Sequence, residues 1–317
     1  MKKISIVVPM YNEEEMAPLF FEAVDKVISG IQNYEFEIVV TNDGSRDNTL
    51  NILQEEYNKR NNLVVVNLSR NFGHEPAVRA GLLNCTGDAA IVMDADLQDP
   101  PEVIPALIET WEQGYDVINA KRSSRKNDTS FKRDTAGLYY KVLNKLSGKI
   151  KIPQNVANFR LISRRVIDEV NNLPEKERVF RVEVPFVGFN TAEVLFARPS
   201  RAKGETKYSL KAMVNLAVQS ITVASVAPLR IPAYFGVGFA GLGFISLLTE
   251  LVFFILKLTN VLFIDSLTMW AWLIISILVL FFGIILGCFG LVGIYLGTVT
   301  DEVRNRPNVI VKEVLRK

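Results

Sequence analysis

Ala89-Ala90-Ile91-Val92-Met93, followed by Asp94-Ala95-Asp96-Leu97-Gln98-Asp99-Pro100-Pro101, decides the fold. The first five residues form a short uncharged run of the kind a buried parallel strand shows. The run ends on two carboxylates one residue apart. Pro101 then stands where a helix start tolerates proline, and Pro101–Glu112 reads as that helix. Upstream the same alternation repeats. Ile4–Val8, Phe36–Val40 and Leu63–Val66 are apolar runs rich in β-branched residues, and Glu13–Ile28, Asp47–Arg60 and His74–Leu83 between them read as helices. Val117–Asn119 reads as a fifth strand. Such alternation predicts an α/β fold, Rossmann-like, with a mainly parallel open sheet and right-handed crossovers. Ligands of these sheets bind beyond the carboxyl ends of the strands. The polar turns lie there: Pro9-Met10-Tyr11-Asn12-Glu13, Asn42-Asp43-Gly44-Ser45, Ser69-Arg70-Asn71-Phe72-Gly73 and Asp94-Ala95-Asp96.

Charge distribution separates this domain from the rest of the chain. The 317 residues carry a net charge of +2, which implies no nucleic-acid partner. Residues 231–300 hold only Glu250, Lys257 and Asp265, and Ile231–Thr249 and Ser266–Thr300 are uncharged. About 20 apolar residues cross a bilayer as a helix. The block therefore reads as two transmembrane helices, 232–256 and 269–296, joined as a hairpin. Arg230, Arg304, Arg306, Lys312, Arg316 and Lys317 flank it, while 258–268 has no Lys or Arg. The positive-inside rule then puts both termini and the large domain in the cytoplasm, with the chain multi-pass in the cell membrane. Glu250 reads as lying near the far boundary, close to Lys257. Residues 206–230 contain an amphipathic helix, with Leu210, Met213, Val214, Ala217, Ile221 and Ala224 on one face. It suits the membrane interface; packing on a face of the soluble domain is the other reading. The organisation is thus 1–205 large cytoplasmic domain, 206–230 juxtamembrane helix, 231–300 membrane hairpin and 301–317 basic cytoplasmic tail. Two cysteines, Cys85 and Cys288, exclude a disulfide framework, and His74 as the only histidine argues against a His/Cys zinc site.

The chemistry concentrates in the turns. Asp94 and Asp96 at a strand end can grip a hard divalent cation, Mg²⁺ or Mn²⁺, that keeps positions open for substrate phosphates, with Gln98 as a neutral oxygen ligand. The alternative is an acidic cluster complementing a helix dipole. Asp43-Gly44-Ser45 offers a carboxylate to a base or ribose and a glycine for close approach, or serves as a turn and helix cap. Tyr11-Asn12-Glu13 has the same two readings, and His74 reads as a polar residue at a helix start. Neither a P-loop nor a Gly-x-Gly-x-x-Gly fingerprint occurs. The segment Lys121–Lys151 is basic, and arginine suits bidentate phosphate contact; a solvated helix face is the other reading.

The ordered set Val7-Val8-Pro9-Met10-Tyr11-Asn12-Glu13-Glu14, Asn42-Asp43-Gly44-Ser45-Arg46-Asp47, Ser69-Arg70-Asn71-Phe72-Gly73, Asp94 to Glu102 and Arg201-Ala202-Lys203-Gly204-Glu205-Thr206-Lys207-Tyr208 resembles the polyprenyl-phosphate glycosyltransferases of glycosyltransferase family 2. These include bactoprenol glucosyltransferases and dolichol-phosphate mannose synthases. The resemblance covers the whole chain. It implies a GT-A fold and inverting transfer of a hexose from a nucleotide sugar, a UDP-hexose, to undecaprenyl or dolichyl phosphate for cell-envelope glycosylation. It also implies Mg²⁺ or Mn²⁺ dependence and a homo-oligomer, a tetramer in the family. Residue by residue, it makes Pro9, Tyr11, Glu13 and Asp43 nucleotide contacts and Asp94 and Asp96 the carboxylates for donor pyrophosphate and metal, beside Gln98. It makes Arg122 and Arg133 holders of the lipid phosphate, and it places Arg201 and Lys203 on the segment that closes over the donor phosphates.

One position departs from the family pattern. Where the family reads Gly-Asp-Phe-Arg-Leu, this chain reads Ala157-Asn158-Phe159-Arg160-Leu161. An acceptor phosphate monoester, with a second pKa of ~6, is mostly anionic near neutral pH and needs little deprotonation. Asn158 therefore bears on donor-sugar choice rather than on an obligatory base. Two other functions share the front half. A processive polysaccharide synthase carries Gln-x-x-Arg-Trp, and none of Trp111, Trp270 and Trp272 follows an arginine. A non-catalytic nucleotide-sugar-binding membrane subunit would lose the metal carboxylates, which are present here.

Overall fold

The computed structural model describes residues 1–123, 153, 156–174, 179–197, 267–304 and 306–317. The chain divides into two units, Met1–Ala224 with Asn305–Lys317, and Ser225–Arg304.

In the first unit the expected strands and helices form, most of them slightly longer or shorter than the sequence pattern. They are β1 (Lys2–Met10), α1 (Met16–Ile28), β2 (Tyr34–Asn42), α2 (Thr49–Lys59), β3 (Leu63–Leu68), α3 (His74–Asn84), β4 (Ala89–Val92), a 3₁₀ turn at Pro101–Val103, α4 (Ile104–Glu112) and β5 (Val117–Arg122). Helix α1 starts three residues later than its pattern because the Glu13 carbonyl accepts the first helical N–H groups, from Met16 at 3.1 Å and Ala17 at 2.8 Å. Strands β1, β2, β3 and β4 run parallel, so their carboxyl ends, Met10, Asn42, Leu68 and Val92, lie along one edge. Side-chain alternation gives the sheet two packed faces. Ile4, Ile6, Val8 and Met10 of β1 meet Phe20, Phe21 and Val24 of α1, Leu53 of α2 and Leu107 of α4. Val7, Val39 and Val66 meet Ala77, Val78 and Leu82 of α3 on the other side.

The sheet departs from the expected order in three places. With β6 at Val156–Ser163, β7 at Thr191–Phe196 and β8 at Val311–Leu315, its order is β7-β5-β6-β4-β1-β2-β3-β8. Strand β6 (Val156–Ser163) inserts between β4 and β5, antiparallel to both, so the fifth strand does not adjoin the fourth. Its polar members Asn158 and Arg160 break the apolar run that marks a buried strand in sequence, although both are buried. Strand β7 (Thr191–Phe196) pairs in parallel with β5. Helices α5 (Arg164–Asn172) and α6 (Phe180–Val187) pack Val166, Ile167, Val170, Phe180 and Val184 into the α3 face. The third departure corrects the reading of 301–317 as a tail. Val311–Leu315 forms β8, antiparallel to β3, and the Ile310 carbonyl accepts the Ser69 N–H at 2.9 Å. An unpaired edge of β3 would leave backbone donors and acceptors open to other chains, and β8 covers it with an exposed strand bearing Lys312 and Glu313.

The second unit contains α7 (Leu267–Arg304), 38 residues and hence about 57 Å long at 1.5 Å per residue. The expected span 269–296 falls on it. Ile274, Leu278, Phe289 and Leu296 are exposed along it. Among the described residues no helix is long and apolar enough to cross a membrane, and a good share of the side-chain positions on α7 lie outside them. The expected helix within 206–230, the span 232–256, and Arg133, Arg201 and Lys203 also lie outside the described residues.

Candidate active site

The turns at the carboxyl edge are stitched to one another. Asn12 adopts a left-handed backbone (φ 52°) that a small polar residue tolerates. Its N–H donates to Ser45 Oγ at 3.0 Å, and its Oδ1 accepts the Arg46 N–H at 2.9 Å. The Glu13 N–H donates to Thr49 Oγ1 at 2.9 Å. The β1 turn and the β2 turn therefore act as one surface, with Pro9 at the end of β1 opposite Thr41.

Asp43 joins the β2 and β3 turns. Its N–H donates to the Met10 carbonyl at 2.9 Å. Its two carboxylate oxygens accept the backbone N–H groups of Phe72 at 2.7 Å and Gly73 at 2.9 Å. Burial pushes the Asp43 carboxyl above its usual range, and those N–H donors with the charges of His74 and Arg70 offset only part of that. The geometry thus gives Asp43 a loop-holding role that its turn position alone did not reveal. Gly44 (φ +64°) is required beside it: a Cβ there would stand 2.3 Å from the Arg70 carbonyl carbon and 2.5 Å from the Asn71 nitrogen. The Arg70 guanidinium lies 4.0 Å from the centre of the Phe72 ring.

The β4 turn carries the two carboxylates. Leu97 is left-handed (φ 55°), strained for a non-glycine residue, and folds the turn tightly. The Gln98 N–H donates to Asp96 Oδ1 at 3.1 Å, and the Asp94 N–H donates to Asp99 Oδ2 at 3.3 Å. Asp99 is buried and is a structural acid that the motif did not single out. His74, at the first turn of α3, places Nε2 3.0 Å from Asp94 Oδ1, while Nδ1 lies 3.8 Å from Glu75 Oε1. Burial would lower the basicity of this imidazole, but hydrogen bonding and charge from Asp94 and Glu75 outweigh it and hold the ring well above its usual pKa. The reading of His74 as an ordinary helix-start residue is therefore incomplete: it connects α3 to the β4 carboxylate.

Strand β6 brings Asn158 to this edge. Its pairing with β4 sets Val92, the last residue of that strand, opposite Arg160, and Asn158 precedes Arg160 by two residues on β6. The Arg160 side chain is buried with its guanidinium 5.1 Å from the Phe180 ring centre. Arg122 ends β5, opposite Phe196, and the Ser123 N–H that follows donates to the Phe196 carbonyl at 2.8 Å. Among the described residues no group of three or more His, Cys, Asp or Glu side chains is arranged to hold a metal ion. Asp94 and Asp96, each oriented by a hydrogen bond and flanked by Gln98, do fit a Mg²⁺ or Mn²⁺ ion whose remaining positions go to water and substrate phosphates, since such ions commonly use only one or two protein carboxylates.

Known proteins agree with this architecture. The chain is 41% identical over 312 residues to the prophage bactoprenol glucosyl transferase homolog of Escherichia coli K12, covering 98% of this chain and 99% of that one. It is 40% identical over 311 residues to the bactoprenol glucosyl transferase of Shigella phage SfII, covering 98% of each. Among solved structures, glucosyl-3-phosphoglycerate synthase of Mycobacterium tuberculosis, in complex with Mn²⁺, UDP and phosphoglyceric acid, superposes with a TM-score of 0.52 at 18% identity, over 70% of this chain and 76% of that one. That likeness establishes the GT-A-like fold. The family model described as Glycosyl transferase family 2 matches residues 5–170, so the chain belongs to glycosyl transferase family 2 and is a hexosyltransferase.

Proposed function

We propose that the chain transfers a hexose from a UDP-sugar to a polyprenyl phosphate with inversion at the anomeric carbon, using Mg²⁺ or Mn²⁺. The observation that carries the reading is the pair Asp94 and Asp96 at the carboxyl end of β4, beside the joined β1, β2 and β3 turns. A nucleotide lies along Pro9, Tyr11, Glu13 and the Asp43 turn, and its pyrophosphate reaches Asp94 and Asp96. A bound cation held by Asp94, Asp96 and Gln98 would neutralise charge on the departing diphosphate. Arg122 with Arg133 holds the lipid phosphate, and Arg201 with Lys203 covers the donor phosphates. An acceptor phosphate oxygen attacks the anomeric carbon as the bond to the nucleoside diphosphate breaks, leaving polyprenyl-phosphate-sugar and UDP. The acceptor is largely ionised at neutral pH (second pKa ~6), so the protein acts mainly by positioning and electrostatic stabilisation.

The lipid acceptor is supported by the names of the full-length relatives and by the uncharged runs 231–249 and 266–300. In this reading α7 and the 232–256 run cross the membrane as a hairpin, and the catalytic unit and both termini face the cytoplasm, where nucleotide sugars are made available to it. The chain works as a homo-oligomer. The test is incubation of membranes containing the chain with a panel of UDP- and GDP-sugars and polyprenyl phosphate, reading the lipid product by mass. A hexose-bearing lipid phosphate formed from a UDP-sugar is expected; donor binding with no lipid product from any sugar would replace this reading with the non-catalytic one.

A further inference from the structure

Glu75, the second residue of α3, lies behind the strand-end carboxylates and belongs to none of the motifs discussed above. Its side chain is 14% exposed. It ties three elements together. Oε2 accepts the backbone N–H of Phe180 at the start of α6 at 2.8 Å. Oε1 lies 3.8 Å from His74 Nδ1 and 3.5 Å from Asn158 Nδ2 on β6. Burial opposes the charge on Glu75, yet the nearby charges of His74 and Arg181 and the Phe180 N–H outweigh it and keep the carboxyl below its usual range. Asn158 is 5% exposed, and its Oδ1 has no hydrogen-bond partner among the described residues.

We propose that Glu75 and Asn158 form a matched carboxylate–amide pair that positions the Asp94 end of the donor site, with α3 supplying the acid and β6 the amide, and that the two roles can be exchanged between the positions. A carboxylate only accepts hydrogen bonds, whereas an amide both donates and accepts. One of each satisfies the contact. Two carboxylates at this separation would repel, and two amides would remove the charge that faces His74. Glu75 acts through His74, whose other nitrogen meets Asp94, so it is a positioning residue. This inference rests on the donor-site reading above.

The test compares four full-length chains in detergent: unchanged, Glu75→Gln, Asn158→Asp and the double variant. Lipid-linked sugar formation gives kcat and KM for the donor, and thermal unfolding gives Tm. Each single substitution should lower kcat and Tm. The double variant should exceed the kcat expected from multiplying the two single effects by roughly tenfold and should recover Tm, the signature of two directly coupled side chains. Independent effects, with kcat and Tm of the double variant equal to the combined singles, would overturn the pairing. Coupling in Tm with none in kcat of an active chain would overturn the positioning role. An unchanged chain that makes no lipid-linked sugar from any donor would remove the functional reading, and the Tm cycle would still decide the pair.

Discussion

His74 Nε2 stands 3.0 Å from Asp94 Oδ1, so the only histidine of the chain holds the first carboxylate of the Asp94-Ala95-Asp96 turn. The contact is made across the sheet edge, from the first turn of α3 to the end of β4. Partners of this kind orient a ligating carboxylate, and their loss typically costs about 10–100-fold in metal affinity or activity. His74→Ala should therefore raise the Mn²⁺ concentration for half-maximal transfer by about that factor while leaving the chain folded. A metal titration identical to that of the unchanged chain would remove His74 from the site.

Asp96→Ala should reduce metal-dependent transfer to background. The residue is half-buried at a strand end and contributes little packing, so Tm should change little. Full activity in excess chelator would reject the metal site for both carboxylates.

Gly44→Ala tests the joined turns. The left-handed backbone at φ +64° costs an alanine about 1 kcal/mol or more. The added Cβ also meets the Arg70 and Asn71 backbone below 3 Å. The variant should lose Tm and should bind UDP more weakly, because the Arg70–Gly73 segment that Asp43 holds must move. Titration calorimetry with UDP and Mn²⁺ measures the second effect; unchanged affinity would place the nucleotide elsewhere.

Arg122→Ala should raise KM for polyprenyl phosphate more than it weakens UDP affinity, as should Arg133→Ala. An equal loss of UDP affinity in both variants would assign these arginines to the donor phosphates instead.

Glu37 predicts a pH dependence of stability away from the site. It is 4% exposed on β2 and accepts from Ser5 Oγ at 2.6 Å and Thr86 Oγ1 at 2.9 Å, and also from the Thr86 N–H. Burial works against its charge, but these donors and Lys3 hold its carboxyl below the usual range. A group with a depressed folded pKa contributes stability above its unfolded pKa and loses it as pH falls through the folded value. Glu37→Gln should destabilise the chain by about 1–3 kcal/mol at pH 7, where buried donors lose their acceptor. The gap in Tm should narrow below about pH 4, near the unfolded carboxyl range. A gap that stays constant from pH 7 to pH 3 would show that Glu37 acts through shape rather than charge.

Apolar runs and polar turns in the sequence were enough to locate β1 to β4, their helices and the acidic turn, because a strand buried on both faces must be apolar along its length. The uncharged run Ser266–Thr300 coincides with most of α7. The strands that escaped are those with mixed composition. Asn158 and Arg160 sit inside β6 because Glu75 and the Phe180 ring meet them there, partners more than 80 and exactly 20 positions away. Strand β8 becomes a strand only because β3 offers it an open edge, a partner some 250 residues upstream. Local pattern therefore located the polar turns at the carboxyl edge of the sheet. Only the tertiary structure decided that Asp43 grips the Phe72 and Gly73 amides, that His74 faces Asp94 and that Glu75 faces Asn158, since each contact joins segments whose proximity depends on the order of strands in the sheet.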